Sequence, residues 1–437
     1  MRANRFDTIA KHLSAHQISR RRALRQGGLC LAAGTVALTG ATGPGVALRA
    51  AVAAPAAPVS DSAPAPAEDI LAIARDDMAR FDLRAVILRV TIDGDELVTA
   101  ALGESITGVP ATPEMHFRNG AVAIAYVATL LLRLVDQGVV GLDDPLAAWL
   151  PELPDAKRVS LRMLANMTAG YPDYVQNGRF LDALYADPFR QWTPEELIDV
   201  GISTPRRFEP GANWDYSHTN YVILGRALER LADRPLADLM QEQILDPLGL
   251  GGTAGWSTAA IPEPVLHAFS AERRAALGID PAARFYEEST FWNPSWTLSA
   301  GAIQTTTIHD LTATAEAIGT GALLSPKSHR AQVSTELVGF GSALAGCPAC
   351  HTLDERYAFG LGVVLSGAWI LQSPLFGGYA ATAAYLPSRR IAIAVATTFG
   401  EESFDRAGTY RYGNVSETIF TAIGAHLAPD EAPPSRR

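Results

Sequence analysis

The sequence predicts an α/β protein of the α+β kind: an antiparallel sheet built from both chain ends, flanked by helices, with a helical lobe inserted between them. Three observations lead there. Two β-like runs lie early, at residues 85–92 and 96–102, and strand-like runs return late, at 360–365, 381–386 and 390–398. Between them, helical patterning extends from Val122 to about Leu250. Strands at both ends of a helical stretch share one sheet only if the ends of the chain come back together.

Each element has a local reason. Residues 70–81 show helical spacing ahead of the first strand. The lobe opens with an almost unbroken apolar run, 121–132, closed by Arg133 and Asp136, which predicts a central buried helix. A final amphipathic helix is expected at about 415–427. The body of the protein is then 68–428, with a sheet lobe of about 68–112 plus 300–428 and a helical lobe of about 113–299. No internal repeat is present.

The ends read differently. Ser19-Arg20-Arg21-Arg22-Ala23-Leu24-Arg25 matches the twin-arginine export pattern, with Ala23 where an aromatic is commoner. An uncharged Ala-, Gly- and Thr-rich run follows from Gln26 to Leu48, and small residues at Ala51-Val52-Ala53 suit cleavage. The run is long enough to serve as a membrane anchor, but its Gly, Thr and Pro content favours a signal peptide over 1–54. Leu29 before Cys30 argues against lipid modification. Residues 55–67 read as an Ala/Pro-rich linker and 429–437 as a disordered tail. The expected location is periplasmic, cell-envelope or extracellular. Residues 1–60 hold eight Lys/Arg against one Asp, and the whole chain carries −10, so the remainder carries −17. Such acidity disfavours nucleic acid and anionic membrane surfaces as partners.

Four blocks of residues are specific enough to suggest a family. Phe117-Arg118 and Gly120 come first, with Asp143-Asp144-Pro145 and Trp149-Leu150-Pro151 after them. Met163-Leu164 through Thr168-Ala169-Gly170 is the second block. The third is Pro210-Gly211, Tyr216-Ser217, Asn220-Tyr221, Leu224-Gly225 and Pro247-Leu248-Gly249. The fourth runs from Ala300-Gly301 through Asp310-Leu311 to Leu323-Leu324-Ser325. In this order, over about residues 68–428, the chain resembles the serine β-lactamase and penicillin-binding-protein-like hydrolases, particularly the class C β-lactamase, D-aminopeptidase and esterase branch. The resemblance implies a β-lactamase/transpeptidase-like fold with a cleft between its lobes.

It also implies a chemistry that the residues here do not carry. The family acylates a Ser that opens a helix, with a Lys one turn later to take its proton and a Tyr-x-Asn element facing both. The Ser position is Ala121 and the Lys position Ile124. Tyr216 is kept, but His218 stands at the Asn position, and Ala169 replaces the turn Ser. A strand motif of His or Lys followed by small residues, expected before Gly378, reads Gln372-Ser373-Pro374-Leu375-Phe376. Without a neighbouring ammonium, Tyr216 is expected to be a neutral hydrogen-bonding residue rather than a base. His218 is expected to face the cleft or to cap a loop. Tyr216, His218, Trp214 and Gly378 are the expected cleft residues. A Ser217–His218 dyad is disfavoured, because consecutive side chains do not face each other. The remaining tryptophans, such as Trp149, Trp192, Trp292 and Trp296, read as core and wall aromatics, and Asp143 and Asp144 as a turn or helix cap.

Cys347-Pro348-Ala349-Cys350-His351 fits both a short-loop disulfide and the C-x-x-C-H pattern of haem attachment. Its place inside the hydrolase-like body, and export in a folded state, favour the disulfide, and no second pair accompanies it to make a zinc site. No cofactor and no metal are expected. Three functions remain open: a non-catalytic protein binding a cell-envelope peptide, amide or ester ligand or a protein partner, an active hydrolase with an unrecognised nucleophile, and, through Cys350-His351 alone, a haem-bearing redox protein.

Overall fold

The structure, a computed structural model, describes residues 65–255, 258–299, 301–302 and 304–435. The expected signal peptide and nearly all of the expected linker lie outside the described residues, as does Ala300. The described residues all belong to one compact unit. Helix α1 (Ala65–Arg80) begins inside the stretch expected to be linker, because Ala67, Ile70 and Ala74 form one buried face.

The main sheet comprises β1 (Leu83–Ile92), β2 (Asp95–Ile106), β3 (Val109–Pro110), β4 (Ala358–Phe359), β5 (Val364–Ser366), β6 (Trp369–Gln372), β7 (Leu375–Phe376), β8 (Tyr379–Leu386) and β9 (Ile391–Phe399). Its order is β3-β2-β1-β9-β8-β6-β5-β4, with β7 paired to β8, and every pairing is antiparallel. The early and late strands meet at β1–β9, in continuous register from Ala85 opposite Thr398 to Ile92 opposite Ile391. Strand β5 overlaps the end of the expected run 360–365, but its hairpin partner β6 was not expected from sequence. The hairpin is short, it turns at Gly367 with φ +58°, and both strands are buried, so neither shows alternation.

Strands β8 and β9 are buried along their whole length, and both are rich in Ala. Helices α1 and α5 (Val415–Leu427) pack on one face and α4 (Ile308–Thr320) on the other. Small side chains let the α4 backbone approach the sheet closely: a Cβ on Gly319 would lie 2.1 Å from Tyr385 Cδ1. The helical lobe is organised around α2 (Val122–Asp136), of which all but three residues are buried, and α3 (His218–Ala232) packs against it. Among the described residues no helix is long and apolar enough to cross a membrane.

The expected disordered tail is placed as far as residue 435. Trp369 Nε1 donates to the Glu431 carbonyl at 2.8 Å, Arg389 pairs with Asp430 and Glu431 at 2.6 and 3.0 Å, and Pro433 packs over Gly424. Composition suggested disorder because it does not show that the acidic residues have Arg389 waiting for them.

Gly319→Ala tests the close approach of α4. In an open helix the change would stabilise by about 1 kcal/mol. Here the new methyl meets the root of a buried Tyr385 ring, and overpacking costs roughly 1–3 kcal/mol. Urea unfolding should therefore show a net loss of stability; a gain would mean that the sheet and α4 are less tightly apposed.

Candidate active site

The cleft is built around the start of α2. The chain enters through Gly120 at φ +46°, and the first amides close back as tight turns: Val122 N–H to Asn119 O, Ala123 N–H to Gly120 O and Ile124 N–H to Ala121 O. Ala121 sits at the cap position with no side-chain hydrogen bond and lines the cleft; Ile124 is fully buried. The open volume is about 370 Å³. Its walls come from Gly120–Ala121, from Tyr216 and His218, from Trp296–Leu298, and from Gln372 through Phe376, with Val175, Tyr357 and Val364 completing them. Most of that lining is apolar, with a few polar groups placed among it, as in a small-molecule site.

From Asp215 to His218, with the backbone extended at Ser217 just before α3, side chains alternate between the interior and the cleft. Tyr216 and His218 line the cleft, whereas Asp215 and Ser217 are fully buried. Ser217 donates its N–H to Met167 Sδ at 3.5 Å and presents no hydroxyl to the cleft. Burial raises the Tyr216 phenol well above its ordinary value, and Tyr357 and Asp173 push the same way, so it is a neutral hydroxyl. His218 is held by a partner that sequence reasoning missed. Asp173 accepts from the His218 backbone N–H at 3.2 Å with one oxygen and pairs with ring Nδ1 at 3.0 Å with the other. The Tyr216 and His218 rings meet edge-on at 5.3 Å. Asp173 follows the Thr168-Ala169-Gly170 turn by three residues, and that proximity was the available signal.

The remaining expected positions divide. Gln372, in the segment where the resemblance leads one to expect a His or Lys motif, lines the cleft, and its Nε2 donates to Gly362 O at 2.6 Å. Beyond it, Pro374 and Phe376 close onto α2: a Cβ on Gly120 would meet each at 2.6 Å, and Phe376 meets Trp296 edge-on at 5.8 Å. Trp214 and Gly378 do not line the cleft. Trp214 is buried behind it against His351, Tyr357 and Phe359, and Gly378 turns the chain at φ +81° with its N–H on Tyr410 Oη at 2.7 Å. Both lie next to cleft residues in sequence, but backbone adjacency does not fix where a side chain goes.

Cys347 and Cys350 are joined as a disulfide, with Cα atoms 5.3 Å apart. Among the described residues, the one cluster with metal-ligating atoms in reach of one another is Asp215 with these two cysteines, whose sulfurs are tied to each other. Burial pushes the Asp215 carboxyl up to about 7, with Asp173 adding to the rise and Arg207 opposing it.

A sheet built from early and late strands, beside a helical lobe whose central helix opens into a cleft, is a β-lactamase/transpeptidase-like architecture. A family model described as Beta-lactamase matches residues 44–415, and the chain belongs to that family. It is 31% identical over 202 residues to penicillin-binding protein 4 of Amycolatopsis lactamdurans, covering 44% of this chain and 49% of the relative. It is 31% identical over 160 residues to esterase EstB of Burkholderia gladioli, covering 34% and 41%. These matches span about half or less of each relative's length. Among solved structures, D-amino acid amidase from Ochrobactrum anthropi SV3 superposes with a TM-score of 0.67 at 21% identity, covering 84% of this chain and 99% of that one, and shares the fold.

Asp215→Asn should reveal the buried carboxyl. The folded value is raised above the unfolded one, so Asp215 favours the folded state fully below about pH 4, and that contribution is lost as pH rises towards about 7. Asn mimics the protonated acid throughout. The variant should therefore melt above the wild type at pH 8, with the gap closing between pH 7 and pH 4. A gap that does not change with pH would show that Asp215 is not the titrating group.

Proposed function

We propose that this protein is an exported, non-catalytic member of the Beta-lactamase family whose cleft binds a cell-envelope peptide, amide or ester, or a protein partner carrying such a group. The observation that carries this reading is the opening of α2, where Ala121 and Ile124 supply neither nucleophile nor amine. No other lysine repairs the loss among the described residues, since Lys157 and Lys327 are both exposed and neither lines the cleft. Loss of the nucleophile from a serine hydrolase leaves catalysis of only about 10³–10⁴-fold over water. The open, largely apolar cleft with Tyr216, His218 and Gln372 in its walls supports retained binding. The peptide, amide and ester classes follow the relatives' names, among them a D-alanyl-D-alanine-carboxypeptidase/endopeptidase of Escherichia coli, 28% identical over 173 residues. Twin-arginine export rests on the leader pattern and agrees with a disulfide in the body.

One observation favours a second reading, an active hydrolase. Asp173 fixes the His218 ring through Nδ1, the arrangement that orients a histidine to activate water or a hydroxyl. Hydrolysis of an activated ester by the wild type, abolished in His218→Ala, would establish it.

Repair of the site tests the main reading. Ala121→Ser with Ile124→Lys restores a hydroxyl and an amine one turn apart. Mass spectrometry should show slow acylation of the double variant by an activated ester or a fluorophosphonate, less with Ala121→Ser alone, and none on the wild type. A stoichiometric adduct on a wild-type serine would overturn the non-catalytic reading. A folded double variant that never acylates would show that position 121 is not the old nucleophile site.

A further inference from the structure

Behind the cleft lies a cluster that ligand binding does not use. Asp215 is 1% exposed, Cys347 5% and Cys350 4%, and a carboxylate oxygen and both sulfurs all lie within 4.8 Å of one another. Neither Asp215 oxygen has a hydrogen-bond partner. The cation nearest to hand, Arg207, holds its Nε 4.0 Å from Oδ2 without bonding to it, while its guanidinium grips the Gly346 carbonyl just before Cys347. A buried carboxylate with both oxygens unpaired is costly, and such groups persist where they move protons. The charged and titratable groups around it are Arg207 from the preceding loop, Asp173 with its partner His218 across the segment, and His351 and Tyr357 packed on Trp214. The cysteine loop itself is thinly covered, since Ala345, Gly346, Pro348 and His351 are exposed.

We propose that Cys347–Cys350 is a redox-active disulfide opened by dithiol reductants, and that Asp215 donates a proton to the departing sulfur and takes it back on reoxidation. The thiolate of a dithiol attacks one sulfur; the S–S bond breaks, a mixed disulfide forms, and the electron pair leaves on the other sulfur. That anion is born in a buried site beside a carboxyl, and the Asp215 proton neutralises it. The reductant's second thiol then attacks the mixed disulfide and passes its proton to the remaining cysteine, which leaves as a thiol; the proton that the first thiol gave up stays in solvent, and Asp215 stays ionised until reoxidation. The balance is one protein disulfide and one dithiol to one protein dithiol and one oxidised reductant. An ionised Asp215 lacks the proton and sets a second negative charge against the leaving thiolate, so opening slows as Asp215 deprotonates. The device is wired to the cleft: His351 meets Trp214 at 5.3 Å and Tyr357 at 5.7 Å, and Tyr357 lines the cleft wall.

The test is reduction of the oxidised full chain by dithiothreitol between pH 5.5 and 9, followed by alkylation and mass spectrometry at Cys347 and Cys350, with tryptophan fluorescence alongside. Each rate is divided by the dithiothreitol thiolate concentration. The corrected rate should fall about tenfold or more between pH 6 and pH 8, with its midpoint near the value of about 7 to which Asp215 is raised. Asp215→Asn should abolish that step. Arg207→Gln keeps the acid and removes the cation that opposes its rise, so it should move the midpoint to higher pH. A flat wild-type profile, or a step that survives in Asp215→Asn, overturns the proposal. So does a rate independent of dithiothreitol and equal to that of global unfolding, because the disulfide would then be inert in the folded protein.

Discussion

Burial of α2 is the constraint on which the cleft depends. From Val122 to Leu134 nearly every side chain is enclosed, so the helix cannot shift without opening the core of the helical lobe. Its N-terminus is thereby fixed at the cleft floor, and the tight turns through Gly120 fix the direction from which the chain arrives. A lysine at position 124 would put an ammonium in that core, tolerable only if hydroxyls and a phenol were arranged around it. Ile124 removes the demand and extends the apolar surface. An isoleucine at this position therefore suits the buried helix, whereas a reactive cation there would set an active site's needs against stability.

The cleft walls are held by packing. Phe376 meets Trp296 and, with Pro374, closes onto Gly120, and β6 and β7 carry their wall as part of the sheet. The strand side of the cleft offers Gln372, bound to the Gly362 carbonyl, then Pro374 and bulky apolar groups. Such a wall recognises shape and a few hydrogen bonds rather than developing charge, which suits binding better than transition-state stabilisation.

Much of the fold was legible in the sequence. The strand pair 85–92 and 96–102, the buried helix from Val122 and the long late strands announced themselves by period, and the motif spacing put Ala121, Tyr216 and His218 around one cleft. The failures share a cause. Asp173 reaches His218 from a distant part of the chain, and only its place three residues after the Thr168-Ala169-Gly170 turn pointed to it. Trp214 and Gly378 were assigned by nearness in sequence, whereas Trp214 packs against His351, Tyr357 and Phe359 and a glycine turn redirects the chain at 378. The docked tail and β6 were hidden because composition reports neither the pairing partner of an acidic residue nor the burial of a short strand.

Segment 214–218 joins the cleft to the disulfide. An extended backbone must turn alternate residues to opposite sides, so placing Tyr216 and His218 in the cleft obliges Asp215 and Ser217 to be buried behind it. Behind it are the cysteine loop and Arg207, which leave the Asp215 oxygens without a hydrogen bond. The strand geometry that presents the cleft thus also creates a buried acid next to a disulfide. A shift of the backbone at Asp215 would be carried to Tyr216 by the peptide bond between them, and the cleft would feel the state of the cysteines without any side chain spanning the distance.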